Sequence, residues 1–431
     1  MTDTRIRSLR ARQILDSRGR PTVEVDVTLA DKSAGRASAP SGASVGAAEA
    51  HELRDGDPAR YAGQGVLRAV ANVNGEIAAG LRDFDASEQG VIDARLRELD
   101  GTPQLRRLGG NAILPVSIAA CRAAASARGQ ELYERIAELT QTDRPTLPLP
   151  MTNILSGGMH AGRGMDIQDF LALPLRAESI DEAIHLVARV RSAATEVARE
   201  RGLPTLLADE GGLGPGLATS RDALQMMVAS IERAGLRPGE DIAIAVDLAA
   251  SALKGPDGGY RLAREGLDLG PAEMMSMMEG WLTEFPVVSI EDGLDQEDWV
   301  GWKELSARLG HRLQLVGDDL FATNPQRLAR GIREGIANGL LIKANQNGTL
   351  TGTLEVIAQA KAAGYATIIS ARSGETEDVF MSDIAVGAAA GQIKIGSLRT
   401  TGTVAKYNQL LRIGSRSGAM FSGIGALAGR R

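Results

Sequence analysis

Apolar and polar positions alternate with a period of two through residues 5–39. Arg5 to Leu15 leads into the turn DSRGRP, TVEVDVTL alternates after it, and a third short run ends before Pro40. Such alternation marks half-buried strands, and three of them joined by short turns predict a meander. SGASVG (41–46) reads as a loop. Apolar residues at helical spacing then predict helices over roughly 64–84, 87–99 and 111–128,. These elements make a small α+β N-terminal domain, assigned to residues 1–139. The Pro- and Thr-rich TQTDRPTLPLP (140–150) marks the passage to a second domain, 140–431,.

In that second part, short aliphatic runs alternate with Ala-rich helical stretches, the pattern of βα units around a parallel sheet. Six successive runs each stop at a charged residue. IAIAV ends at Asp247, VVSI at Glu291, LQLVG at Asp318, GLLI at Lys343, ATIISA at Arg372 and GQI at Lys394. In a (β/α)8 barrel the C-terminal strand ends share one face, where active sites form. Six charged side chains, three carboxylates followed by three cations, are therefore expected to converge on one mouth. A strand that stops at a charge is ordinary for any one of them, since strands end where solvent begins; the ordered set of six is not.

Composition narrows the chemistry. The chain has 431 residues, 43% of them hydrophobic and 24% charged, with a formal net charge of −6. It lacks the overall positive field that holds nucleic acid or an anionic membrane. No uncharged apolar run reaches membrane-helix length and no signal-peptide core is seen near the N-terminus, so a soluble, cytoplasmic protein is expected. The single cysteine, Cys121, excludes an internal disulfide framework and a thiolate metal cage,. Lysine is scarce, at seven residues among 48 lysines and arginines. Two of the seven stand at the mouth, and lysine, unlike arginine, can give up its proton.

Three carboxylates without histidine or cysteine form a hard, all-oxygen set suited to Mg²⁺. Arg372 and Ser373, in the turn ARSGETED, suit a phosphate group, although they also suit a capped turn,. Lys343 and Lys394 would lie near each other and near the metal, where positive surroundings lower a lysine pKa and make a base. The reaction class that follows is removal of a proton α to a carboxylate, from a substrate that also carries phosphate. Two further loops belong with the mouth. GGMHAGRGMDIQDF brings His160, Gln168 and Asp169, and ADEGGLGP brings Asp209 and Glu210, two carboxylates of which either one suits an acid opposite the lysine or a plain solvated loop.

At these residues the chain resembles the enolase family. ARQILDSRGRPTVEV, PSGAS, LRDGD, GGMHAG, DEGG, SIED, GDDL with TNP, IKANQ, RSGETED, GQIK and AKYNQLLRI occur in the family's order over nearly the whole length. The resemblance implies a small α+β domain on an enolase-type, TIM-like barrel whose opening strands depart from strict βα alternation, commonly in a homodimer. It implies two Mg²⁺ ions per site, with Asp247, Glu291 and Asp318 as ligands of the first and Ser44 helping to hold the second. It implies Lys343 as the base and Glu210 as the acid. Lys394 is then placed at the substrate carboxylate, Arg372 and Ser373 at the phosphate, and His160, Gln168 and Asp169 around the substrate. The family reaction is reversible dehydration of 2-phosphoglycerate to phosphoenolpyruvate.

Several positions depart from the family pattern. Ala371 stands where SHRSGE has its histidine, Asp169 where QEF has glutamate, and Val45 where SGAST has threonine. Ala48 replaces a loop histidine, Gly293 follows SIED, and IGSLRTTGTV replaces a run rich in paired Arg and Glu. The changes gather around departure of hydroxide and closure of the loop, while metal ligands, lysines and phosphate pair match. A diverted enzyme of phosphonate natural-product biosynthesis, of the carboxyphosphonoenolpyruvate synthase type, is the alternative. A catalytically silent binding or structural homologue is the third reading.

Overall fold

The computed structural model describes residues 3–42, 46 and 48–429. The N-terminal strands β1 (Ile6–Leu15), β2 (Pro21–Leu29) and β3 (Ala34–Ser38) form the expected antiparallel meander, with Ala11 opposite Val25 and Val25 opposite Ala37. The first turn closes on Asp16, whose Oδ1 accepts from the amides of Arg18 and Arg20, both at 2.9 Å. Val23, Val25, Val27 and Leu29 turn one face of the sheet inward.

The first expected helix forms over Leu67–Asn72, Val73–Ile77 and Ala78–Gly80, its middle segment a π-helical turn. The next two are α1 (Gln89–Asp100) and α2 (Gly110–Ala127). Helix α2 lies so close to the sheet that a methyl group at Gly35 would overlap the Ala119 carbonyl and the Ala123 amide. A further helix, α3 (Leu132–Thr140), was not singled out from the sequence. It starts at a capping box of Glu131 and Glu134 rather than at the usual Ser, Thr, Asp or Asn,.

Eight strands then close a barrel: β4 (Leu149–Ser156), β5 (Asp169–Leu173), β6 (Ala243–Asp247), β7 (Val287–Glu291), β8 (Gln314–Gly317), β9 (Gly339–Ile342), β10 (Ala366–Ser370) and β11 (Gly391–Lys394). Around the ring the order is β7-β8-β9-β10-β11-β4-β5-β6. Strand β5 runs antiparallel to both β4 and β6, while every other neighbouring pair is parallel. A parallel return needs a long crossover, usually helical. Residues 157–168 carry only the short 3₁₀ turn Gly158–Ala161, so the chain turns straight back. Two helices, α4 (Ile180–Glu200) and α5 (Ser220–Arg233), follow before β6.

Leu149, Met151, Leu171, Leu173, Ala245, Val316, Leu341 and Ile368 fill the barrel interior, and a larger core lies between strands and helices. Among the described residues, no helix is long and apolar enough to cross a membrane.

Candidate active site

The six charged residues reach one end of the barrel, as their positions at strand ends require. Asp247, Glu291 and Lys394 are the last residues of β6, β7 and β11, and Asp318 and Lys343 directly follow β8 and β9. Arg372 comes two residues past the end of β10. The antiparallel β5 begins at this end, which brings its first residue, Asp169, level with Asp247. Asp247, Asp318, Lys343, Arg372, Ser373 and Lys394 line a small cavity of about 70 Å³, together with His160, Gln168, Glu210 and Ala371.

Each cation in this mouth rests on a carboxylate. The Lys394 ammonium lies between Asp247 Oδ2, at 2.7 Å, and both oxygens of Glu291, at 2.8 Å. Lys343 Nζ donates to Asp318 Oδ2. Arg372 Nη1 donates to Glu49 Oε2 and to Asn345 Oδ1, both at 3.0 Å. His160 Nδ1 meets Asp169 Oδ2 at 3.1 Å, and its Nε2 is 3.9 Å from Glu210 Oε1.

Burial penalises each of these charges, and the partner decides the direction in which the pKa moves. Burial opposes the Lys394 proton, but Asp247 and Glu291 hold it well above the ordinary lysine value. The same contest raises Lys343, with Asp318 as the winning partner. The lowered lysine was expected beside a bound metal; in the protein alone the nearest charge to Lys343 is the Asp318 carboxylate, which holds its proton. Burial also pushes Glu291 well above the carboxylate range, aided by Asp247. At Asp247 the Lys394 charge overrides burial and lowers the pKa.

Opposite, burial works against the His160 proton, but Glu210 and Asp169 raise it to about 9. Glu210 itself is raised by burial against the pull of His160, and its Oε2 accepts from Asn153 Nδ2 at 3.2 Å. Asp169 is fully buried behind His160, outside the cavity lining, with Oδ1 accepting from Ser156 Oγ at 2.6 Å. The aspartate thus anchors the imidazole. Gln168 Nε2 donates to Asp247 Oδ2 at 3.2 Å.

Ser373 Oγ accepts from Arg18 Nη1 at 2.9 Å. Ser44 and Val45 lie outside the described residues. Asp292, buried beside the mouth, accepts from the amides of Asp318 and Asp319 at 2.9 and 2.8 Å and so fixes the turn after β8. Among the described residues, His160–Asp169–Glu210 and Asp292–Asp318–Asp319 each bring three donor atoms within 4.8 Å of one another and could hold a metal ion; of the expected ligands only Asp318 belongs to such a group. The set Asp247, Glu291 and Asp318 has the hard oxygen donors that Mg²⁺ prefers. The ammonium seated between two of them shows that this pocket draws a cation.

Sequence reasoning missed Arg18, Glu49, Asp292, Asn345 and Gln346 as members of the site. All but Glu49 lie inside segments already quoted, so only their roles were unread. Glu49 lies outside those segments, and its position depends on how one domain docks on the other.

A closed barrel whose mouth sets buried lysines and carboxylates against a histidine–acid cluster is the framework of an acid–base enzyme. The family model for "Enolase, N-terminal domain" matches residues 6–136, and that for "Enolase, C-terminal TIM barrel domain" matches residues 144–428. The chain belongs to the enolase family, and its two domains are those of an enolase-like lyase.

Proposed function

We propose that this protein is a Mg²⁺-dependent hydro-lyase that interconverts 2-phosphoglycerate and phosphoenolpyruvate. The observation that carries the reading is the placement of Lys343 and Glu210 on one cavity. Lys343 follows β9, which stands directly across the eight-strand ring from β5. Glu210 lies on a loop held to the end of β4 and to the turn that leads into β5: Leu213 O accepts from the Ser156 amide at 2.7 Å, and the Asp209 amide donates to His160 O at 3.1 Å. A base and an acid on opposite sides of a substrate are what removal of a proton and of hydroxide from adjacent carbons requires.

Asp247, Glu291 and Asp318 would hold one Mg²⁺, and Ser44 would contribute to a second. The ions supply positive charge that stabilises the dianion formed when the proton α to the carboxylate leaves. Lys343 takes that proton as the neutral amine, after Asp318 has released its ammonium and the ammonium has passed its extra proton to solvent. Glu210, with a raised pKa, donates to the departing hydroxide. Lys394 holds the substrate carboxylate, Arg372 and Ser373 the phosphate, and His160 and Gln168 the body of the substrate. A homodimer is expected, to be tested by light scattering.

The diverted reading rests on Ala371. It lines the cavity with a methyl group, so no proton donor or acceptor stands there. Proton NMR of 2-phosphoglycerate with protein and Mg²⁺ in heavy water separates the two. Exchange at the α carbon together with phosphoenolpyruvate supports the dehydratase. Exchange without product supports a diverted second step. In either case Lys343→Ala should slow exchange by about 10²–10⁴-fold, and unchanged exchange would remove Lys343 as the base.

A further inference from the structure

We infer that Glu49 is an internal competitor for the phosphate of the substrate and sets the affinity of the site for it. This rests on the reading that Arg372 binds that phosphate. Glu49 comes from the N-terminal domain, yet its carboxylate is buried at the barrel mouth. Its Oε2 takes a hydrogen bond from Arg372 Nη1 at 3.0 Å. Its Oε1 accepts from the Gly46 amide at 2.9 Å and from Gln346 Nε2 at 3.3 Å. The side chains of Arg372 and Glu49 are only 4% and 5% exposed, so water screens their charges weakly.

A phosphate dianion on the same guanidinium would stand within a few ångströms of the Glu49 carboxylate. Either the carboxylate gives up Arg372, or two anions share one buried cation. Both routes weaken phosphate binding relative to a neutral side chain. The arrangement favours ligands whose phosphate is doubly charged, since a monoanion offers Arg372 no more than Glu49 already does. It also gives Arg372 a ready partner when product leaves. Gln346 links this exchange to the carboxylate set, because its Nε2 also donates to Asp318 Oδ1 at 3.3 Å.

The test is calorimetric titration of the Mg²⁺-loaded protein with inorganic phosphate. Glu49→Gln keeps an oxygen for Arg372 and removes the charge, so phosphate should bind about tenfold more tightly. Structural damage does not produce a gain, and that direction separates competition from bracing. Affinity that is unchanged or weaker in Glu49→Gln, with binding still lost in Arg372→Gln, overturns the inference and leaves Arg372 as the phosphate residue. Equal phosphate affinity in wild type and Arg372→Gln overturns the phosphate reading itself, and this inference with it. Should Glu49→Gln not fold by circular dichroism, Glu49→Asp sets the charge one methylene back and should still bind phosphate more tightly than wild type. No gain there overturns the inference equally.

Discussion

At neutral pH the His160 imidazole keeps its proton, because Asp169 and Glu210 outweigh the effect of burial and raise its pKa to about 9. The folded value lies above the ordinary 6.5, so protonation favours the folded state. That contribution is complete below about pH 6.5 and is lost as pH rises through about 9. The His160 ring resonance, assigned by its absence in His160→Gln, should therefore titrate near 9, and a midpoint near 6.5 would show that the carboxylates do not hold it. The wild-type advantage in unfolding free energy over that variant should shrink across the same window. None of this was visible in the sequence. GGMHAG and QDF identify the residues, whereas the spacing between them says nothing of which side chain backs which. Lys343 taught the same lesson in reverse. Its place at the mouth was legible from the strand pattern, but its charge state depends on Asp318, which directly follows the neighbouring strand β8.

Among the elements, the barrel strands were the most legible, because each is a short aliphatic run that stops at a charge. The resemblance implied only that the opening strands depart from strict βα alternation; the antiparallel course of β5 emerged from the structure, and its physical reason is a return too short to cross the barrel. Helix α3 was lost to its unusual cap. The helix α6 (Thr401–Ser417) contributes Lys406, another of the few lysines, fully buried. Its ammonium meets Glu375 Oε2 at 3.0 Å and donates to Thr376 O and Gly402 O, both at 2.9 Å. Glu375 Oε1 in turn accepts from the Arg372 amide at 2.9 Å, so α6 supports the backbone of Arg372. Lys406→Met leaves a buried carboxylate without its cation and should destabilise the protein by about 3–5 kcal/mol in urea unfolding. Adding Glu375→Gln should recover part of that loss. A single variant as stable as wild type would show that the pair contributes nothing.

At the scale of the whole molecule, the two domains meet along the turn that carries Arg372. Asp378 Oδ1 pairs with Arg122 Nη2 of α2 at 2.9 Å, and its Oδ2 accepts from the Ser38 amide at 2.9 Å. Arg97, on α1, reaches Asn347 Oδ1 at 2.7 Å. Asp378→Ala should lower stability by about 2–3 kcal/mol, from the loss of hydrogen bonds to a charged group. It should also raise KM for a phosphorylated substrate more than it lowers kcat, because the turn bearing Arg372 and Ser373 loses its tether. Equal KM values would show that the turn holds its shape unaided. Such inter-domain contacts join residues hundreds of positions apart, and no periodicity in the chain announces them.

The pairing of every cation in the mouth with a resident carboxylate has a consequence for capture. Carboxylates outnumber cations there, with Glu49, Asp169, Glu210, Asp247, Glu291, Asp292, Asp318 and Asp319 against His160, Lys343, Arg372 and Lys394, so the metal-free protein does not pull a polyanion in from a distance. Association of a polyanion with the metal-free protein should accordingly not slow as salt rises, which stopped-flow rates at low and moderate salt would reveal. A visitor able to satisfy one resident merely exchanges one pairing for another. A visitor that satisfies several at once releases them together, so the mouth favours ligands that engage several residents over those that engage one.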